Sequence, residues 1–356
     1  MSVHNQVSAR RTEYDVLRIL AIFAVVIIHV VGNTFSSMTQ TDSLWWNQLN
    51  ILDGSVRWAV PVLLMISGAL FLDPQKEVSV QTLYKKYIFR ILTAFLFWSI
   101  LYTAVSYLQF SRDLDLLHYT VDFFISVVLK PRYHLWYIYA IIGLYMITPL
   151  LRLVVQHASE SILRYWILLM YLCGLVIPAL LKIDIVDTLF GTTVSYAHLD
   201  FLGGYVFYYV IGYYISTRKV KHEGVVYMIG FLSYMLSILA TAYLSARNSG
   251  TVSVYENLSP TIALSSIAMF VFFKERVSAW NFSKKWRKRL KKVSEYMFAV
   301  YLMHDLILLL FANWGITIQN YPSILAALFI GATVFLICTG IAHLLGQNKL
   351  FKKYIM

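Results

Sequence analysis

Residues 15–31 read DVLRILAIFAVVIIHVV, and this stretch decides the fold of the chain. It is apolar from Val16 to Val31 except for Arg18 and His29. Its length approaches the roughly 20 residues that a helix needs to cross about 30 Å of hydrocarbon. We predict a membrane helix here, and we expect it to be retained rather than cleaved as a signal, because it introduces further apolar segments.

The composition of the whole chain agrees with this first segment. Of its 356 residues, 59% are hydrophobic and 13% are charged, and the mean hydropathy is +0.65. Soluble domains are about 45–50% apolar and about 25% charged. The composition therefore predicts an all-α integral membrane protein. We expect one domain over residues 1–356, because no linker, repeat or low-complexity tract divides the chain.

Windows of about 19 residues predict about ten transmembrane helices. They lie near residues 15–33, 55–72, 90–109, 135–151, 163–181, 201–216, 224–244, 258–273, 295–313 and 322–345. The stretch 119–130 is too short to span a bilayer and is predicted to be an interfacial or re-entrant helix.

The charges between these helices predict the topology. With ten spans, alternate loops fall on one side, and the Lys and Arg outside the helices divide into 23 on the side of the termini and five on the other. By the positive-inside rule both termini are cytoplasmic. The basic run Lys284–Lys292 is expected to be a cytoplasmic surface loop near anionic lipid. Because the net charge of +12 arises from such loops, nucleic acid is not an expected partner.

The two cysteines, Cys173 and Cys338, both lie inside apolar runs. Neither a disulfide framework nor a cysteine metal site is predicted from them, and no metal site is expected.

Arg18 and His29 are the two ionisable residues inside the first helix. They are eleven positions apart, so they project from the same helix face and differ by about 16 Å in depth. Ionisable groups in a membrane segment cost about 2.5–3.5 kcal/mol each on insertion scales and commonly mark function. The alternatives are that Arg18 reaches lipid phosphate and that His29 makes a structural bond between helices.

Further motifs follow in order along the chain. They are Pro61-Val-Leu-Leu-Met-Ile-Ser67-Gly68, His134-Leu-Trp136-Tyr-Ile-Tyr with Tyr145 and Pro149, Tyr208-Tyr-Val-Ile-Gly212, and Ser294 to His304. Together with the Arg, ten residues, His spacing of the first helix, they make the chain resemble the acyltransferase-3 family. Two features depart from the family pattern: Tyr87 stands three residues before Arg90 in place of a second arginine, and Asp305 replaces the usual proline after His304.

The resemblance implies a membrane O-acetyltransferase of the bacterial plasma (inner) membrane. Its donor would be acyl-CoA, which we expect to be acetyl-CoA used as a substrate, with no cofactor bound permanently. The acceptor would be a hydroxyl of a cell-surface or lipid-linked glycan. His29 is then the catalytic base and Arg18 lies at the donor end of the site.

The basic residues Lys85, Lys86 and Arg90 are expected to bind the donor's phosphates. Arg57, His134, Trp136 and His304 are expected to bind the acceptor. For Trp136 the alternative is an ordinary interfacial aromatic, and for His304 it is a structural bond between helices. Ser67-Gly68 either lines the site or only permits close helix packing.

A transporter or exporter of polysaccharide is the rival function, because an intramembrane Arg and His also suit a substrate or proton pathway. Inverted repeats with paired broken helices would favour transport. The chain shows no duplication of the Arg18 and His29 helix in its second half. A membrane sensor or scaffold would leave that pair of residues unexplained.

Overall fold

A computed structural model describes residues 10–76, 78–110, 125, 127, 132–199, 203–248 and 250–355. These residues form helices and connecting segments, with no β-strand among them. The chain divides into two compact units. Unit 1 holds Met1–Glu77 and Leu150–Ser294, and unit 2 holds Val78–Pro149 and Glu295–Met356. The predicted helix at 119–130 falls almost wholly outside the described residues.

The twelve helices named below are numbered in chain order. They are α1 Thr12–Ser37, α2 Leu44–Val56, α3 Ala59–Phe71, α4 Phe89–Phe110, α5 Trp136–His157, α6 Glu160–Tyr171, α7 Tyr205–Thr217, α8 Glu223–Arg247, α9 Pro260–Glu275, α10 Lys284–Asn313, α11 Ile324–Leu345 and α12 Lys349–Tyr354. Wider π-helical turns extend α4 at its start, Leu83–Ile88, and α6 at its end, Leu172–Val176.

Within the described residues, eight helical stretches are long and apolar enough to cross a membrane. They are Thr12–Ser37, Leu44–Phe71, Val80–Val105, Tyr133–His157, Glu160–Leu180, Glu223–Arg247, Lys284–Asn313 and Ile324–Leu345. The all-α membrane fold is confirmed, and the chain is a multi-pass membrane protein.

The remaining two predicted spans are helices, but short ones. α7 has 13 residues and α9 has 16, which correspond to about 20 and 24 Å at 1.5 Å per residue. Both are shorter than the roughly 30 Å of hydrocarbon. The number of ten spans and the cytoplasmic termini therefore stay predictions.

Several predicted boundaries were wrong by more than a turn, and two of them were wrong by eleven residues. The second span begins at Leu44 rather than near residue 55, because the polar helix α2 runs into α3 through Arg57 and Trp58, which keep helical dihedral angles. The run Lys284–Lys292 is the start of α10 rather than a loop, and the backbone N–H of Trp286 donates to the Ser283 hydroxyl just before it.

The core of unit 1 depends on a close approach of α3 and α7. A methyl group added at Gly68 would lie 1.8 Å from the backbone oxygen of Tyr209, and one at Gly212 would lie 2.2 Å from that of Met65. Small residues let membrane helices pack backbone to backbone. The Ser67-Gly68 motif therefore serves helix packing at its glycine.

Replacing Gly68 with alanine is expected to destabilise unit 1 by about 1–3 kcal/mol, because the new methyl group must push α3 and α7 apart. The measurement is the free energy of unfolding in detergent micelles. Gly143→Ala is the matched control, since a methyl group there meets no heavy atom within 4 Å. Equal effects of the two substitutions would contradict the close approach.

Segments that the count of Lys and Arg predicts to be cytoplasmic contact one another at one end of unit 1. A guanidinium nitrogen of Arg11 donates to the backbone oxygen of Ser216 at 3.1 Å. Arg152 donates to the backbone oxygens of Phe71, Asp73 and Lys76 at 2.5–3.0 Å. Arg152 thus satisfies carbonyls at and after the end of α3, as basic residues do at helix C-termini.

Unit 2 is held together by polar contacts between α4 and its other helices. The Tyr102 hydroxyl donates to the backbone oxygen of Leu302 at 2.9 Å and accepts from the N–H of Leu306 at 3.1 Å. The Thr93 hydroxyl donates to the backbone oxygen of Tyr354 in α12. These bonds satisfy polar groups that would be costly unpaired inside a bilayer.

Candidate functional site

A polar cavity of about 620 Å³ lies at the start of α1 in unit 1. Its charged side chains are Arg10, Arg11, Arg18 and Lys76, with Asp15 and Asp73. The ends of α3 and α7 complete the wall through Ala69, Leu70, Ser216 and Thr217. We call this the basic cavity, because its cationic groups outnumber its carboxylates.

Asp15 organises the arginines of the basic cavity. Its buried carboxylate accepts two hydrogen bonds from Arg10, at 2.7 and 2.8 Å, and lies 3.5 Å from a guanidinium nitrogen of Arg18. The same nitrogen of Arg18 donates to the Ser294 hydroxyl at 2.8 Å. Such fixed guanidinium groups are suited to pairing with phosphate.

Arg11 and Lys76 extend the positive charge across the cavity. Arg11 donates to the Tyr14 hydroxyl at 2.9 Å. Lys76 lies on the segment that Arg152 anchors, and burial is the main cause that lowers the pKa of its ammonium, against the opposing charge of Asp73. An anion bound nearby would favour the protonated form of Lys76.

Of these groups, only Arg18 is predicted from the sequence to belong to the site. Arg10, Arg11 and Lys76 are among the Lys and Arg counted above as topology signals, because nothing local in the sequence shows that their segments meet at a cavity. Asp15 could have been found, because a residue three positions before Arg18 lies on the same helix face.

His29 lies in the same unbroken helix as Arg18. It is half-buried and eleven residues further on, so the predicted shared face and separation of about 16 Å apply to α1 as it stands. The rings of Phe35 in α1 and Trp46 in α2 are 5.3 Å apart. His29 lies six residues before Phe35, and Asp53 lies seven residues after Trp46. Because α1 and α2 run antiparallel, His29 and Asp53 lie at about the same depth.

Arg57, predicted to bind the acceptor, is paired with Asp53 one turn before it. The guanidinium donates to one Asp53 oxygen at 2.5 and 3.0 Å, and its carbon lies 5.8 Å from the Tyr255 ring centroid. The Asp53 side chain is fully buried, and its other oxygen has no hydrogen-bond partner among the described residues. The Arg57 side chain keeps 24% of its surface exposed.

His134 and His304, predicted separately, are neighbours inside unit 2. Their ring centroids are 5.0 Å apart, and both side chains are buried. A ring nitrogen of His304 lies 2.6 Å from the backbone oxygen of Tyr301, whose hydroxyl donates to the backbone oxygen of His134 at 2.5 Å. Their proximity could not be predicted from the sequence, because they are 170 positions apart.

Asp305, which stands where the family pattern has a proline, accepts hydrogen bonds from two side chains beside these histidines. Arg132 donates to the Asp305 carboxylate at 2.6 Å, and the Tyr133 hydroxyl donates at 3.0 Å. A ring nitrogen of His134 lies 3.8 Å from the same carboxylate. Trp136, the fourth predicted acceptor residue, is half-buried at the start of α5.

Lys85, Lys86 and Arg90 lie at and just after the π-helical turn that precedes α4, and all three are exposed. The Lys86 ammonium lies 5.4 Å from the Tyr87 ring centroid, and Tyr87 packs edge-on against Tyr145. These residues belong to unit 2, whereas Arg18 and the basic cavity belong to unit 1.

Comparison with protein families matches residues 11–343 to an acyltransferase domain. Comparison with curated proteins and with solved structures finds no match for the chain. The family match covers most of the chain, including α1 with Arg18 and His29, the basic cavity apart from Arg10, and the buried histidines of unit 2. The chain therefore belongs to the acyltransferase-3 family and is a multi-pass membrane acyltransferase.

Proposed function

We propose that the protein transfers an acyl group, which we expect to be acetyl, from cytoplasmic acyl-CoA to a hydroxyl of a cell-surface or lipid-linked glycan. We place it in the bacterial plasma (inner) membrane. The observation that carries this proposal is the basic cavity at the foot of the helix that bears His29. The helix α1 therefore carries the proposed general base and also borders the cavity proposed to bind the polyanionic donor.

The donor's phosphates would bind in the basic cavity. Arg10 and Arg18 are already oriented by Asp15, so little further ordering is needed to pair them with a phosphate. Lys85, Lys86 and Arg90 remain proposed donor-binding residues on unit 2, because exposed cations suit a charged ligand on the side where the chain enters α4.

His29 would act as general base about 16 Å deeper along α1. Its neutral imidazole takes the proton of the acceptor hydroxyl as that oxygen forms a bond to the thioester carbonyl carbon. The tetrahedral intermediate collapses with cleavage of the carbon–sulfur bond. The proton returns from the imidazolium to the departing thiolate, which leaves as coenzyme A.

The acceptor would be held by Arg57, His134, Trp136 and His304. Arg57 and Trp136 are partly exposed and are suited to hydrogen bonding and ring stacking, respectively. His134 and His304 are buried, so their contribution to acceptor binding requires that the interior of unit 2 opens.

The proposal is tested with purified protein in lipid vesicles that contain a lipid-linked oligosaccharide and labelled acetyl-CoA. Labelled ester on the oligosaccharide supports the proposal. Mass spectrometry of cell-surface glycans, with and without the protein, then identifies the acceptor by its lost acyl group. Movement of the oligosaccharide across the vesicle without ester formation would instead favour the transporter.

Arg18→Ala is expected to raise the KM for acetyl-CoA about 10- to 100-fold, because it removes a charge-assisted hydrogen bond of about 1.5–3 kcal/mol to a phosphate. Steady-state kinetics with varied donor measures this change. The same variant should use S-acetyl-N-acetylcysteamine, a thioester without phosphate, as well as the unmodified protein does. Arg164→Ala is the matched control, because Arg164 is exposed and, among the described residues, forms an ion pair with Glu160 alone. Equal losses with both donors would contradict the assigned phosphate contact.

A further inference from the structure

A second cavity, of about 680 Å³, lies beside the basic cavity in unit 1. Its wall is formed by the first turns of α10, through Lys284, Lys285, Arg287, Lys288 and Lys291. Arg10, Thr12 and Asp15 from the start of α1 complete it. We call this the helix-foot cavity.

Among the described residues that line the helix-foot cavity, the cationic side chains outnumber the carboxylates. Five cationic side chains of α10 face it, and no ion pair joins any of them to a carboxylate in the described part of the chain. Asp15, its one acidic residue, is already paired with Arg10 and Arg18. Like charges three or four positions apart destabilise a helix, so this arrangement favours a bound anion.

The two cavities share a wall. Arg10 and Asp15 line both of them and are joined by an ion pair. A single ligand with phosphates at two places along its length can therefore reach both cavities past this pair. Coenzyme A has that form, because a diphosphate and a separate 3′-phosphate lie on either side of one ribose.

We propose that the helix-foot cavity is the subsite for the adenosine 3′-phosphate of the acyl-CoA donor, while its diphosphate binds in the basic cavity. This assignment rests on the proposed function. A lipid headgroup has the same phosphate chemistry, but continuity with the basic cavity favours coenzyme A.

The test is equilibrium binding of coenzyme A and of dephospho-coenzyme A, which lacks the 3′-phosphate, to the purified protein in phosphatidylcholine nanodiscs. The unmodified protein should bind coenzyme A about tenfold or more tightly than dephospho-coenzyme A. Lys288→Gln with Lys291→Gln should abolish this preference and leave the affinity for dephospho-coenzyme A unchanged.

Arg289→Gln with Lys292→Gln is the matched control. It removes the same charge from the same turns of α10, and neither residue lines the helix-foot cavity. The control should keep the preference for coenzyme A. An equal loss of preference in the control would show a general effect of charge and overturn the subsite.

The remaining outcomes separate this inference from the proposed function. If the unmodified protein binds both ligands equally, the subsite is wrong and donor binding stands. If it binds neither ligand, the acyl-CoA donor itself is wrong and the subsite falls with it. If phosphatidylglycerol in the nanodiscs abolishes the preference, the cavity is a lipid headgroup site, which also overturns the inference.

Discussion

His29→Ala is expected to lower the rate of acyl transfer by about 10²- to 10⁴-fold, because the acceptor hydroxyl loses its general base. The affinity for coenzyme A should stay unchanged, since Arg18 and the basic cavity lie about 16 Å away along α1. The measurements are single-turnover transfer from labelled acetyl-CoA and equilibrium binding of coenzyme A on the same preparation.

The control for His29→Ala is His157→Ala, which removes an exposed imidazole from unit 1. It should leave both transfer and donor binding intact. His29→Gln adds a second arm, because glutamine can still make a hydrogen bond but cannot take up a proton at neutral pH. If His29→Gln transfers acyl groups at the normal rate, then His29 serves as a structural bond between helices and the proposed mechanism is wrong.

The relation between Arg18 and His29 is the part of the site that the sequence predicts best. Both lie on one helix, so helix geometry alone predicts from their spacing of eleven residues that they share a helix face and how far they differ in depth. The continuous helix from Thr12 to Ser37 is what that prediction requires. The assignment of chemistry to the two residues stays a prediction.

Contacts between distant segments could not be predicted in this way. Arg11 and Ser216 meet across 205 positions, and His134 and His304 across 170, with no period in the sequence that relates them. The helix α2 was missed for another reason. Its polar residues, such as Asn50 and Asp53, lower the local hydropathy, and only burial against other helices explains why they are tolerated there.

The two ends of α1 differ in how far the charged groups around them are exposed. At the start of α1, the guanidinium groups of Arg10 and Arg18 line cavities and are partly exposed, so their charges are available to a ligand. At the depth of His29, the neighbouring helix carries a carboxylate that is fully buried beside Arg57. The partly exposed cations at the start of α1 fit the proposed role in donor binding, and the buried ion pair at the depth of His29 fits rigid surroundings for the proposed chemistry.

Arg57→Ala is expected to destabilise unit 1 by about 3–5 kcal/mol, because it leaves the Asp53 carboxylate buried without its partner. The free energy of unfolding in detergent micelles measures the loss. The exposed pair of Arg164 and Glu160, with atoms 3.8 Å apart, is the control, and Arg164→Ala should cost no more than about 0.5 kcal/mol.

The double variant Asp53→Leu with Arg57→Met separates stability from acceptor binding. Apolar residues of similar volume commonly replace a buried ion pair without loss of stability, so unfolding should return close to that of the unmodified protein. Acyl transfer should stay low and the KM for the acceptor should stay high, because the guanidinium proposed to bind the glycan is gone. If transfer returns together with stability, Arg57 does no more than neutralise Asp53, and the acceptor must be bound by other residues.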